Sequence, residues 1–368
     1  MTDIKKANVT EQERFVYIDF LECLAIFFVL AYHGIMHYGN FLTDNRPVVY
    51  INYYCQTIMS TCVPLFLFVN GYLLFSKPLD IKKHVRKMIR LMVVSSVWML
   101  LLLFIMQPIN GEYYTWEETL ERFWNLQIGW NNHLWYMGTL ICIYVFFPLL
   151  KWAFDTNKKI FYYFTAISAV MTLGNTLINE FLTVFNYLFL GRVEIYYGIN
   201  FFHIFNPFST NVQYAYVYFC IGGIVYSQKD RIAAIPRRIR NCVAVVGILI
   251  CCLLLTFLGI GYGVLGKVWL DGIYSGFDTV FTLGNVIFLY LLSLNWKRDN
   301  WLVRTISRNT LGIYFVHIVF NQALFPYFVK FLWMRNLLGT AVYGSIILML
   351  CLVFCLIVRK IPILKHLV

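Results

Sequence analysis

From Phe15 onward the chain keeps returning to one pattern, an apolar run of roughly 20 residues closed by a short polar segment. A helix of that length crosses the roughly 30 Å hydrocarbon core of a bilayer, and in lipid only helices and closed barrels satisfy their own backbone hydrogen bonds. Ten such runs occur, at about 15–38, 50–75, 87–107, 132–154, 160–178, 212–228, 241–261, 274–294, 309–329 and 337–358. The pattern predicts an all-α integral membrane protein with about ten transmembrane helices in one bundle. Composition agrees. Residues are 60% hydrophobic, 19% aromatic and only 13% charged, where soluble domains use about a quarter charged residues. The expected division is an N-terminal tail at 1–14, a ten-helix membrane domain at 15–358 and a C-terminal tail at 359–368. The first run is too long and too acidic for a cleaved signal peptide, so it is expected to stay as an anchor.

Charge placement predicts orientation. Of the 30 Lys and Arg residues, 24 fall in alternate connecting segments and at the two ends of the chain. The positive-inside bias therefore predicts cytoplasmic N- and C-termini. The net charge of +12 is read as membrane orientation, with no nucleic-acid partner expected. Membrane lipids are the expected surroundings. The ten cysteines have no metal or disulfide spacing and read as small hydrophobes.

Four residues of the first run break its apolar character: Asp19, Glu22, His33 and His37. At about 100° per residue they lie within one narrow sector of a helix, so a polar seam runs down a membrane helix. Ionisable groups at membrane depth are costly unless they face a bundle interior or a wet cavity, which marks the seam as a candidate site. Further along, Pro64–Leu91 passes through Asn70-Gly71, read as a break in the second span, into the basic stretch holding Lys82, Lys83, Arg86 and Arg90. Clustered cations at a helix start favour phosphate, as in a nucleotide-bearing donor. The fourth run opens with Asn131, Asn132, His133, Leu134, Trp135 and Tyr136, and the ninth carries His317 at membrane depth. Loop 108–131 and loop 179–211 hold aromatics and carboxylates suited to an interfacial belt or a sugar ring. Gly261–Gly266 matches GxGxxG but lacks a strand–helix unit and reads as a turn, and Asn8-Val-Thr10 is a silent glycosylation match. No metal site is expected.

The segments YIDFLECLAIFFVLAYH (17–33), PLFLFVNGYLL (64–74), KKHVRKMIRL (82–91), HLWYMGTLICIYVFFPLL (133–150) and TLGIYFVHIVF (310–320) together resemble the membrane acyltransferase-3 family, in order and spacing. The resemblance implies ten core helices with cytoplasmic ends and O-acylation, mostly O-acetylation, of surface glycans. It also implies that His33 matches the family's catalytic histidine. The family has Arg or Lys eleven residues before it; here that position is Glu22, so no role requiring a cation is carried over.

The expected reaction moves an acyl group, most simply acetyl, from cytosolic acetyl-CoA or another acyl-CoA to a hydroxyl of a glycan or lipid-linked sugar outside. His33 is expected to act as general base, with Glu22 and Asp19 as further catalytic residues that orient it or relay charge along the seam. Lys82, Lys83, Arg86 and Arg90 hold the donor phosphates, His133, Trp135 and Tyr136 face the acceptor, and His317 and Asn70 complete the membrane-depth polar set. The expected location is the cell membrane, a bacterial cytoplasmic membrane, with monomer or homodimer left open. The rival reading is a transporter or flippase that uses the same seam.

Overall fold

The computed structural model describes residues 15–33, 40–124, 133–191, 214–267, 276–331, 336–362 and 364–367. His37, Asn131, Asn132, most of loop 179–211 and the Asn8 match lie outside them. The described residues form helices and no strand. In chain order these are α1 (Val16–Tyr32), α2 (Pro47–Gln56) running through a 3-10 turn into α3 (Cys62–Phe75), α4 (Ile81–Asn110), the short α5 (Trp116–Trp124) and α6 (Trp135–Thr156). Then come α7 (Lys158–Ala169) joined through a π-helical turn to α8 (Asn175–Leu190), α9 (Tyr214–Ser227), α10 (Lys229–Ala233), α11 (Arg237–Gly266), α12 (Val280–Ser293), α13 (Trp301–Phe328) and α14 (Leu337–Val358).

Each of the ten apolar runs contains a helix, and seven helical stretches are long and apolar enough to cross a membrane. The chain is a multi-pass membrane protein. Helices α1, α9 and α12, of 17, 14 and 14 residues, fall short of that length. Polar side chains cap the starts. Asp80 accepts from the Lys83 N–H, Asn300 from those of Leu302 and Val303, and Asn336 from that of Gly339. Gly111 and Gly191 close α4 and α8 in the left-handed conformation, at φ 69° and 60°.

Three expectations from the sequence are corrected. Asn70-Gly71 does not break a span, because α3 runs unbroken to Phe75. Gly71 is there for close approach. A Cβ on it would land on the Phe219 carbonyl of α9, and one on Gly222 would land on the Phe68 carbonyl of α3. Two backbones meet where neither helix has a side chain, the usual small-residue solution in lipid. Gly261–Gly266 is not a turn but the last helical turn of α11. Residues 179–190 are not loop either, since the fifth span continues helically from Lys158 to Leu190 with a π turn inside it.

Helix α1 sits inside the bundle, packed against α3, α12, α13 and α14. Helix α3 is buried almost all round from Cys62 to Val69. By contrast α4 and α11 expose Phe104, Leu249, Leu253 and Phe257, as lipid-facing helices do. Helices α1 and α13 run side by side in the same direction. Ser307 of α13 meets Asp19 and Glu22 near one end, and His317 meets His33 near the other. The eleven residues from Glu22 to His33 and the ten from Ser307 to His317 rise about 16 and 15 Å, so the two pairings keep register.

Candidate active site

The polar seam of α1 faces α13. The Ser307 hydroxyl lies 2.9 Å from Asp19 Oδ1 and 2.5 Å from Glu22 Oε2. One hydroxyl hydrogen serves one carboxylate at a time, so Ser307 donates to Asp19 or to Glu22 and stands between the two acids.

At the other end of α1, three imidazoles from three elements gather. The ring centres of His33 and His317 are 5.3 Å apart, and those of His133 and His317 are 5.4 Å apart at 89°. His317 is 1% exposed. Its Nδ1 lies 2.5 Å from the Tyr314 carbonyl oxygen. A carbonyl only accepts, so Nδ1 carries the proton and Nε2 holds a lone pair. That buried Nε2 has no hydrogen-bond partner. The three histidines line a cavity of about 440 Å³ with Tyr32, Trp135 and Phe277, within the size range of small-molecule sites at about 300–1,000 Å³. Among the described residues no group of three His, Cys, Asp or Glu is placed to hold a metal ion.

A second cavity of about 350 Å³ lies toward the acidic pair. Glu22, Asn70 and Tyr144 line it together with the cations Lys87, Arg90, Arg308 and Arg359. The two cavities share Tyr136 and Tyr314 as a common wall. These rings meet edge to face at 5.6 Å, and the Tyr314 hydroxyl donates to the His133 carbonyl, tying α13 to the start of α6. A third space of about 330 Å³ follows at the outer rim of the second, lined by Arg90, Arg359, Lys365 and His366. Its wall is held by two bonds. Arg359 Nη2 donates to the Arg308 carbonyl at 2.7 Å, and Trp98 Nε1 donates to the Leu367 carbonyl at 2.7 Å. The result is a series of adjoining spaces from a basic rim, past Glu22, to the three histidines.

Set against the residues singled out in the sequence, the structure brings Glu22, His33, His133, Trp135, Tyr136, His317 and Asn70 to the walls of these spaces, while Asp19 meets Ser307 and lines none of them. Asn70 also accepts the Tyr144 hydroxyl at 3.0 Å. Of the four basic residues singled out at the start of α4, only Arg90 lines the cavities, with Lys87 beside it. Lys82, Lys83 and Arg86 are exposed outside the lining, with Lys83 paired to Asp80 at 3.1 Å. The Lys83 backbone N–H, then its ammonium, holds the Asp80 carboxyl below the usual carboxylate range. Lys83 and Arg86 stand within about 40° of Arg90 round α4 but about 10 and 6 Å nearer the helix start, so height along the axis, not facing, leaves them outside the lining.

Sequence reasoning missed Lys87, Arg308, Arg359, His366, Tyr314 and Ser307. The cations among them were counted only as orientation signals. Tyr314 and Ser307 left a trace only in the three- and ten-residue spacing to His317, which becomes informative once α13 is known to face α1.

No curated protein and no solved structure gives a match. The family comparison does: residues 15–360, nearly the whole chain, match the acyltransferase-3 family, described as an acyltransferase domain. A multi-pass helical bundle with a polar, histidine-ended series of cavities at its centre therefore belongs to that family of membrane acyltransferases.

Proposed function

We propose that the protein transfers an acyl group, acetyl in the simplest case, from acyl-CoA to a hydroxyl of a glycan or lipid-linked sugar across the membrane. The observation that supports this is the wall of Tyr136 and Tyr314, which is common to a cation-lined space and a histidine-lined one. Arg90, Lys87 and Arg359 hold the donor phosphates at the basic rim, and the thin acyl arm reaches past Glu22 toward the histidines. His133, Trp135 and the neighbouring aromatics face the acceptor, where flat rings suit a sugar.

The chemistry follows from the groups present. The acceptor hydroxyl oxygen attacks the thioester carbonyl while an imidazole takes its proton. The tetrahedral intermediate then collapses, the C–S bond breaks, and the donor leaves as a thiol. His33 is the base. His317, whose proton is pinned on Nδ1 by Tyr314, offers Nε2 as the acceptor that steadies the neighbouring ring or passes the proton on. Glu22 lies about 16 Å and Asp19 about 21 Å away along α1, so neither touches the reacting carbonyl, and Glu22 lines the donor's route.

The test uses purified protein in nanodiscs with labelled acetyl-CoA. Thiol release should fall by about 10²- to 10⁴-fold in His33→Ala with folding intact, the usual contribution of a positioned base. Unchanged release would remove His33 from the reaction. A carrier would instead move substrate without consuming acetyl-CoA, and the same assay would read no thiol at all.

A further inference from the structure

A further cavity, of about 400 Å³, opens at the same end of the bundle as the basic rim but on another face of α1. Val16 and Tyr17 line it, and at about 100° per residue they stand at least 120° round the helix from Glu22. It shares no lining residue with the passage described above. Among the described residues Lys229, Arg240 and Lys297 line it with the carboxylate of Asp230, and the Lys229 ammonium lies over the Phe15 and Tyr226 rings at 5.1 and 5.3 Å.

Its chemistry is unbalanced toward donors. Arg240 is only 7% exposed, and its Nη2 donates to Asn295 Oδ1 at 3.1 Å. Asn295 in turn donates to Asn241 at 2.7 Å, which fixes the guanidinium in place. Its buried Nε has no partner, and among the described residues no carboxylate pairs with it. The buried Nε1 of Trp296 also has no partner, while the Trp296 ring stacks on Phe20 at 4.7 Å and 20°. A desolvated guanidinium with an unpaired Nε–H, beside an indole N–H without an acceptor, is costly unless something accepts from them. The complement is a compact anion with several acceptor oxygens. Guanidinium, ammonium and N–H donors around one pocket suit the tetrahedral phosphate group, which accepts from several directions at once.

We propose that this cavity is a second anion site that binds a phosphate group, separate from the donor passage. The phosphate comes either from an anionic lipid headgroup or from a soluble phosphate, and the experiment distinguishes these. Full-length protein is melted in detergent with increasing inorganic phosphate or pyrophosphate. In parallel it is melted in nanodiscs of phosphatidylcholine with and without phosphatidylglycerol.

The expected result is a saturable rise in melting temperature with one of these probes. Its midpoint should weaken about tenfold or more in Trp296→Phe, which keeps the stack on Phe20 but removes the N–H, and in Arg240→Gln. Should Arg240→Gln fail to fold, Trp296→Phe and Lys297→Gln carry the test. In an Arg90→Gln background, which weakens phosphate binding at the basic rim, the part of the rise that depends on Trp296 and Lys297 should remain. A rise with phosphate or pyrophosphate assigns a soluble ligand; a rise with phosphatidylglycerol alone assigns a lipid headgroup. No rise with any probe, or equal rises in wild type, Trp296→Phe and Lys297→Gln, overturns the proposal.

Discussion

Two arginines one helical turn apart offer a sharp test of where the donor binds. Arg86 and Arg90 both belong to the basic start of α4 and carry the same charge. Arg90 lines both spaces of the basic rim, whereas Arg86 is exposed outside them. A hydrogen bond to a charged group contributes about 1.5–3 kcal/mol when well formed. Arg90 is itself exposed, so about 1–2 kcal/mol is the upper share after screening by water. At about 1.4 kcal/mol per tenfold, Arg90→Gln should raise the KM for acetyl-CoA roughly five- to thirtyfold. The rim contact is the same before and during the reaction, so kcat should hold within about twofold. Arg86→Gln should raise the KM clearly less than Arg90→Gln does, because Arg86 lines neither space and acts only through a charge about 6 Å further along α4. The assay is thiol release from labelled acetyl-CoA in nanodiscs of fixed lipid composition, at 0.1 M salt. Equal KM shifts in the two variants would mean a diffuse positive surface, and no shift in Arg90→Gln would place the donor elsewhere. Either result refutes the rim assignment.

Gly71→Ala should destabilise the bundle by about 1–3 kcal/mol, because the new methyl meets the Phe219 backbone, which cannot yield like a side chain. Gly138→Ala, with nothing within 4 Å, is the control and should leave the melting temperature in detergent unchanged or slightly higher. Ser307→Ala removes the hydroxyl that stands between Asp19 and Glu22, and should lower both melting temperature and thiol release. A variant matching wild type in both would make that contact incidental. His317→Gln keeps a polar side chain but loses the Nε2 lone pair of the imidazole. It should cut kcat and alter the pH profile of thiol release while leaving the KM for acetyl-CoA nearly unchanged. The Asp80 carboxyl is held below the usual carboxylate range in the folded chain, so its capping contribution is present at pH 7 and fades as pH falls through the folded value. The melting-temperature gap between wild type and Asp80→Asn should therefore close in acid; a gap that persists would show that the charge is not what caps α4.

The helices were legible in the sequence because their causes are local. Apolar length sets a span, Asp80, Asn300 and Asn336 mark starts, and Gly111 and Gly191 mark ends. The seam of Asp19, Glu22 and His33 was legible for the same reason, since helical periodicity alone puts those residues on one face. Asn70-Gly71 shows where local reasoning stops. Glycine reads as a breaker along a chain, yet here it is the point where α3 and α9 touch backbone to backbone, which only the partner helix reveals.

What the sequence determined by itself was a membrane-spanning helical chain, a basic set of connecting segments and membership of a family spread over nearly its whole length. The tertiary structure decided which of many basic residues face a cavity, choosing Arg90, Lys87, Arg308 and Arg359 over Lys82, Lys83 and Arg86. It also decided that Tyr136 and Tyr314 form the wall between two spaces, and that a carbonyl on α13 pins the His317 proton. The reason is physical: hydropathy and periodicity act along one helix, whereas a cavity is made by the rotation and contact of several, and nothing in a single segment encodes which neighbour it will meet.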